Sequence, residues 1–302
     1  MSNYISKSSK ISVHKLTKDP TQAWEELKND QKVIKLKVST PSSPAPLNVL
    51  RFVCMSDTHS LTSRLKFDIP DGDVFLHAGD FTRCGDLQEV ENFNTWLGQL
   101  THKHKVVIAG NHELTFDVEL TAPRNMHGRS RQADRPVDSI LQVDHLQKNI
   151  ETENGHEHPS ALLTNATYLQ DSLITIAGVK IYGSPWQPTY MSMAFNLPRG
   201  AACLDKWDAI PAGVDVLLTH SPPLGHGDFC VTDVRAGCVE LLSTVQQRVK
   251  PKYHVFGHIH EGYGITTDGQ IIFINASTCN VNYLPCNPPL VFDVPIPQGY
   301  SK

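Results

Sequence analysis

Five short clusters in the 302-residue chain carry side chains able to hold or activate a metal: Asp57-Thr58-His59, Gly79-Asp80, Gly110-Asn111-His112-Glu113, His220 and Gly257-His258-Ile259-His260. Carboxylate, amide and imidazole donors without thiolate suit hard or borderline divalent ions such as Mn²⁺, Fe²⁺ and Zn²⁺, whereas a structural zinc site typically draws on cysteine. None of the seven cysteines falls in a cluster. A carboxylate such as Asp80 can bridge two cations about 3.5–4 Å apart. The one-residue spacing in Asp57-x-His59 and His258-x-His260 predicts that both side chains leave a strand end on the same side. Taken singly, each residue is more readily an ordinary polar group at a strand end. The ordered set is what points to a metal site.

Each cluster directly follows an apolar, partly β-branched run that predicts a buried strand: Val49–Met55, Val74–His77, Lys105–Ala109, Val214–Thr219 and Tyr253–Phe256. In an open α/β sheet the carboxyl ends of strands line the ligand crevice, so clusters far apart in sequence can converge there. Helical patterns alternate with the strands: Asp86 is placed to cap LQEVENFNTWLGQL, and Val239–Val249 has apolar residues at helical intervals. Hairpins are expected across Ile174–Tyr182 and Gly264–Ile274, the second with Asp268-Gly269 as a type I′ pair. The chain is therefore expected to be α/β with mixed sheets.

Residues 1–47 read as an N-terminal extension, with a short helix over Trp24–Asp30 behind Asp19-Pro20 and a turn-rich run, Ser39–Pro46, at its end. Residues 48–294 form the expected main domain, 117–161 a polar surface insertion with a short helix near Leu141–Ile150, and 295–302 a C-terminal tail. No internal repeat is visible. The 40% hydrophobic and 19% charged composition is that of a globular protein, and no apolar run approaches the roughly 18 residues of a membrane span. The polar start lacks a secretory signal pattern, and the odd number of scattered cysteines suits reduced thiols; both point to the cytoplasm. A net charge of −4 gives no broad attraction for nucleic acid or anionic membranes.

The order D-x-H, G-D, G-N-H-[DE], H, G-H-x-H resembles the calcineurin-like metallophosphoesterase superfamily. FVCMSDTHS, GDVFLHAGDFT, VIAGNHELTFD, YGSPWQP, FNLPRG, HSPPLG, HVFGHIHEGYG, INASTCNVNY and NPPLVFD resemble, more closely, the brain-type subfamily of animal metallophosphoesterase-domain-containing proteins. The resemblance implies a four-layer α/β/β/α sandwich. It implies a first metal held by Asp57, His59, Asp80 and His260 and a second held by Asp80, Asn111, His220 and His258, with manganese the leading metal and iron or zinc the alternatives. His112 would serve as the catalytic residue that binds no metal, as general acid or electrostatic partner, with Glu113 orienting it. Hydrolysis would proceed by direct attack of activated water, with no covalent enzyme intermediate.

Some mammalian members of the subfamily carry glycine at the first histidine of G-H-x-H; this chain keeps His258, which favours a working enzyme. Gly79–Gly85 lacks the Asp-Arg pair of Ser/Thr protein phosphatases. The implied activity is phosphodiesterase action on small substrates, including cyclic nucleotides. The alternatives are a phosphomonoesterase or nuclease on the same site, or a nucleotide-binding regulatory protein with little turnover.

His102, His104, His127, His145, His156, His158 and His254 match no motif and are expected on solvated surfaces. His226 is read as bland rather than substrate-facing. Trp186 and Tyr190 are able to stack on a nucleobase but more often pack. Asn275 and Ser277 stand where they could support the ligands from behind, and Arg129-Ser130-Arg131 reads as an exposed charged face.

Overall fold

The computed structural model describes residues 10–38, 45–121 and 158–302. The expected helix near Leu141–Ile150, His127, His145, His156, the Arg129–Arg131 face and most of the Ser39–Pro46 run lie outside the described residues.

The strands are β1 (Ile34–Leu36), β2 (Val49–Met55), β3 (Val74–Ala78), β4 (His104–Ile108), β5 (Thr167–Tyr168), β6 (Ser172–Ile176) and β7 (Val179–Ser184). They continue with β8 (Gln187–Pro188), β9 (Asn196–Leu197), β10 (Val216–Thr219), β11 (Tyr253–Phe256), β12 (Gly264–Thr267), β13 (Ile272–Asn275) and β14 (Leu290–Pro295). A 5-stranded sheet runs β14-β2-β3-β4-β5, and a 7-stranded sheet runs β1-β12-β13-β11-β10-β7-β6. Both are mixed. β2, β3, β4 and β5 pair in parallel with β14 antiparallel at the edge, and β7, β10, β11 and β13 pair in parallel, flanked by antiparallel partners.

Alternation along the strands sets the layers. Leu50, Phe52 and Cys54 of β2, Leu76 of β3 and Ile108 of β4 share one buried cluster with Ile181 of β7, Leu218 of β10 and Val255 of β11, which seals the two sheets face to face. The intervening residues turn to the helical layers. Val53, Phe75 and Val107 pack with Val90, Phe93 and Leu97 of the Leu87–Gln99 helix, while Leu217 and Phe273 pack with Trp207, Leu241 and Val245. Helix, sheet, sheet and helix are the four layers the sequence implied. Truncating a fully buried member such as Phe52 would cost about 3–5 kcal/mol.

The described helices are α1 (Pro20–Leu27), α2 (Leu87–Gln99), α3 (Val118–Thr121), α4 (Ala201–Asp208) and α5 (Val239–Thr244). Asp86 caps α2 as expected, accepting from Gln88 N at 2.9 Å. The first helix lies four residues earlier than its apolar pattern suggested, because Asp19 caps it and Pro20 occupies its first turn. A 3-10 turn, Lys28–Asp30, continues it. Val239–Val249 is helical throughout but changes to a π turn over Val245–Val249.

The Ile174–Tyr182 hairpin is present, with Ala177 and Gly178 both at positive φ. The second hairpin forms with a different turn. Asp268 is not left-handed; its carboxylate accepts from Gln270 N and Ile271 N, making a four-residue loop in place of the expected type I′ pair.

The segment before residue 39 is woven into the body. β1 pairs antiparallel with β12, and Ala23 of α1 is buried with Leu224, Val239 and Leu242. At the other end Ile296 N donates to Asn48 O, and Lys302 pairs with Asp73 at 2.7 Å. At the start of the 117–161 stretch, Asp117 is buried and its carboxylate accepts from Phe195 N at 2.8 Å.

Candidate metal centre

The five motif clusters meet at the carboxyl ends of β2, β3, β4, β10 and β11. Three donor groups lie there, each with its ligand atoms within 4.8 Å of one another: Asp57, His59 and His260; His59, Asp80 and His112; Asp80, His220 and His258. Asn111 joins the last, its Oδ1 2.9 Å from His220 Nε2. Every sequence-predicted ligand is therefore in the cluster.

Local backbone, rather than strand alternation, brings them together. Asp57, His59, Asp80 and His258 all have positive φ, between 43° and 68°, a region that costs an L-residue about 1 kcal/mol or more. Each strand ends and the chain kinks at once, so the one-residue spacing works through left-handed turns. The glycines make room for the kinks. A Cβ on Gly257 would stand 2.1 Å from Asp57 Oδ2, and one on Gly110 2.3 Å from Asp80 Oδ1.

The imidazoles are oriented by carbonyl groups behind them. A carbonyl only accepts, so the nitrogen facing it carries the hydrogen. His59 Nδ1 faces Thr82 O at 3.3 Å, His220 Nδ1 faces Ala78 O at 2.9 Å and His260 Nδ1 faces Asn280 O at 2.9 Å. In all three Nε2 is left as the inward ligand atom, the arrangement that fixes tautomer and ring plane in metal sites. Asp57 is held by Ser277 Oγ at 2.9 Å and His258 N at 3.0 Å. Asn275 locks the same loop by accepting from Ser277 N and donating to Ile259 O.

This donor set fits cations. His59 Nε2 and His260 Nε2 are 3.2 Å apart, and His220 Nε2 is 2.9 Å from Asn111 Oδ1 and 3.3 Å from Asp80 Oδ2. Such convergent lone pairs need positive charge between them. Burial works against ionisation of Asp57 and Asp80, but the neighbouring imidazoles outweigh it and hold both pKa values below the carboxylate range. Burial likewise lowers His220 and His260, yet Asp80 raises the first and Asp57 the second to about 9. His59 and His258, dominated by burial, fall to about 4 and about 3.

His112 differs from the seven candidate ligands. Its Nδ1 donates to Arg83 O at 2.7 Å, its Nε2 lies 3.9 Å from Asp80 Oδ2, and its ring meets His59 edge-on at 4.6 Å. Glu113 does not orient it. Glu113 is buried and accepts from Asp80 N, Thr82 N, Thr82 Oγ1 and Gly110 N at 2.6–2.9 Å, clamping the two loops that carry Asp80 and Asn111. The orienting group for His112 is a carbonyl, which sequence does not mark.

Several remaining side chains differ from their sequence reading. His102 and His254 are buried, not solvated; His254 meets Thr219 Oγ1 at 2.8 Å, and burial takes its pKa to about 3. His158 bonds Ser160 and Phe116 O as a local cap. His226 stacks on Phe273 at 3.7 Å and Trp186 packs on Phe195, both in the bland role. Tyr190 stands half exposed at the mouth, 5.6 Å from the His258 ring. Sequence reasoning missed Tyr283, whose ring lies 4.9 Å from His59 and 5.3 Å from His260. It also missed buried His77, whose Nε2 is 3.0 Å from Thr58 Oγ1. The cluster opens into a cavity of about 540 Å³.

The family model of the calcineurin-like phosphoesterases matches residues 50–262. The chain is 52% identical to metallophosphoesterase domain-containing protein 1 of Homo sapiens, over 85% of this chain and 74% of that protein, and equally so to the protein of that name from Mus musculus. It is 49% identical to a UPF0046 protein of Caenorhabditis elegans, over 96% of this chain and 71% of that one. With its convergent Asp and His donors, the chain belongs to the calcineurin-like phosphoesterase family and is a metal-dependent phosphoester hydrolase.

Proposed function

We propose that the chain is a phosphodiesterase acting on small substrates, cyclic nucleotides among them, with manganese as its leading metal and iron or zinc as alternatives. The observation that carries the diester reading is the charge of the cavity wall. Its only arginines among the described residues, Arg199 and Arg235, are committed elsewhere: Arg199 donates to Ala236 O and Gly237 O at 2.7–2.8 Å, and Arg235 pairs with buried Asp228. A diester carries a single negative charge, which the cluster can meet alone. A monoester dianion or a polyphosphate brings further charge, and of these two guanidiniums Arg235 is already neutralised by Asp228 while the Arg199 donors are held on backbone carbonyls.

In this reading Asp57, His59, Asp80 and His260 would hold one cation and Asp80, Asn111, His220 and His258 the other. Bound divalent cations supply Lewis-acid charge to the phosphoryl oxygens and lower the pKa of water. The side chains do the rest. Carbonyl-held imidazoles keep Nε2 aimed inward, and Glu113 keeps the Asp80 and Asn111 loops in register. His112, its Nδ1 hydrogen fixed on Arg83 O, presents Nε2 to the phosphate as the donor that protonates a leaving alkoxide. Seven free cysteines support a reducing compartment, and we place the activity in the cytoplasm.

The test pairs metal analysis with turnover of bis(p-nitrophenyl) phosphate, p-nitrophenyl phosphate and a panel of cyclic nucleotides in Mn²⁺. The expected result is diester turnover well above monoester turnover at stoichiometric metal. Faster monoester hydrolysis, or nucleotide binding without turnover, overturns the reading.

A further inference from the structure

Three loops border the metal cluster, and each presents apolar side chains to solvent. Tyr190 belongs to the first, Val231 and Val234 to the second, and Val281 and Tyr283 to the third; all five line the cavity and all are exposed, Val231 at 70%. Scattered exposed apolar residues are ordinary, but several gathered around one functional cavity mark a binding surface.

The loops are held in this state by polar side chains and by backbone bonds. Asn196 accepts from Tyr190 N at 3.2 Å and donates to Tyr190 O and Met191 O at 3.0 Å. Glu261 accepts from Val231 N at 2.8 Å, and Cys230 N donates to Val234 O across the turn. Asn280 takes the third loop, its Oδ1 accepting from Asn282 N and Leu284 N while its carbonyl orients the ligand His260. Tyr283 is left-handed, at φ 55°, an uncommon state for an aromatic residue and one that fixes where its ring stands. The apolar rim is therefore built on a hydrogen-bonded frame and tied directly to the metal ligands.

The rim and the cluster share one cavity, lined by Asp80 and His112 as well as by the five apolar side chains. A phosphodiester with its phosphorus at the cluster would send its ester arms out past that rim. We propose that the rim is a subsite for a non-polar ester arm, so that the enzyme selects phosphodiesters carrying an aromatic or aliphatic group of several carbons over those whose arm is as small as methyl. This rests on the diesterase reading above. Tyr190 and Tyr283 flank the arm nearest the phosphorus, and Val231, Val234 and Val281 continue the surface outward. Removing these side chains and the arm from water together drives selection.

The experiment uses the metal-loaded full chain and p-nitrophenyl diesters whose second arm is methyl, hexyl or benzyl, keeping leaving group and alkyl ester chemistry constant. The expected result is kcat/KM at least about tenfold higher for hexyl and benzyl than for methyl. Val231→Ser combined with Val234→Ser should cut that ratio at least threefold, with circular dichroism and metal content as for the parent. Turnover of all three esters at equal kcat/KM, or an unchanged ratio in the folded, metal-loaded variant, overturns the subsite alone. Absence of turnover for every diester, with p-nitrophenyl phosphate still hydrolysed, overturns the diesterase reading and the subsite with it. If the double variant fails to fold, Tyr190→Ser provides the same ratio test from the opposite wall.

Discussion

His59 and His260 face each other Nε2 to Nε2 at 3.2 Å, while the Nδ1 hydrogens of both point away to the carbonyls of Thr82 and Asn280. Two lone pairs in that position repel unless a cation lies between them, and in a protein without metal the cation is a proton.

Metal uptake should therefore release protons. In the metal-free protein the carboxylates Asp80 and Asp57 raise His220 and His260 to about 9 against the effect of burial, so both are protonated at neutral pH. A divalent ion has to displace those protons, and apparent affinity should rise with pH until about 9. The same pairs make a metal-free protein more stable below the ordinary histidine pKa and less so as pH rises through about 9. Titration calorimetry in buffers of different ionisation enthalpy checks this; binding with no proton release at neutral pH contradicts it.

Glu113 should prove a stability residue with a catalytic phenotype. Glu113→Ala leaves four buried donors without an acceptor and should cost about 2–4 kcal/mol in denaturant unfolding of the metal-free protein. Its metal content should fall as well, because the loops bearing Asp80 and Asn111 lose their clamp. Unchanged stability would show that these donors find other partners.

Replacing His112 should separate chemistry from metal binding. His112→Ala removes a side chain whose nearer nitrogen is 3.9 Å from Asp80, and metal content should stay at the parental level. Turnover should fall by about 10²–10⁴ for alkoxide leaving groups, and much less for p-nitrophenolate, which leaves without a proton. Equal losses for both leaving groups would argue against the proton-donor role.

His258→Gly should lower activity and occupancy of the second metal position with little change in stability. The backbone N–H of residue 258, which holds Asp57 at 3.0 Å, survives the change. Metal analysis, turnover and thermal unfolding together check it; full metal content with parental turnover would remove His258 from the ligand set.

Much of this architecture is legible in the sequence, for unequal reasons. Val49–Met55 and Tyr253–Phe256 are bounded as the sequence predicts because buried strands leave a continuous apolar signature that stops where the candidate ligands begin. The seven metal-capable residues were legible as an ordered motif set. What stayed hidden depends on partners far away in sequence. Nothing near Ile34–Leu36 announces pairing with β12, nothing near Glu113 shows that its acceptors serve backbone groups of Asp80 and Thr82, and His254 looks polar until Thr219 is placed beside it. The same holds for Tyr283, whose role at the mouth follows from a left-handed backbone angle that composition does not encode.

Those left-handed angles at Asp57, His59, Asp80 and His258 have an evolutionary side. At most positions a glycine that erases a functional side chain also loosens the chain, so loss of chemistry and loss of folding travel together. Here the backbone already occupies a region that glycine enters without strain, and the two become uncoupled. A descendant of this fold could drift from catalyst to silent scaffold through one such exchange while remaining folded enough to be retained, and its sequence would still look like that of an enzyme everywhere else.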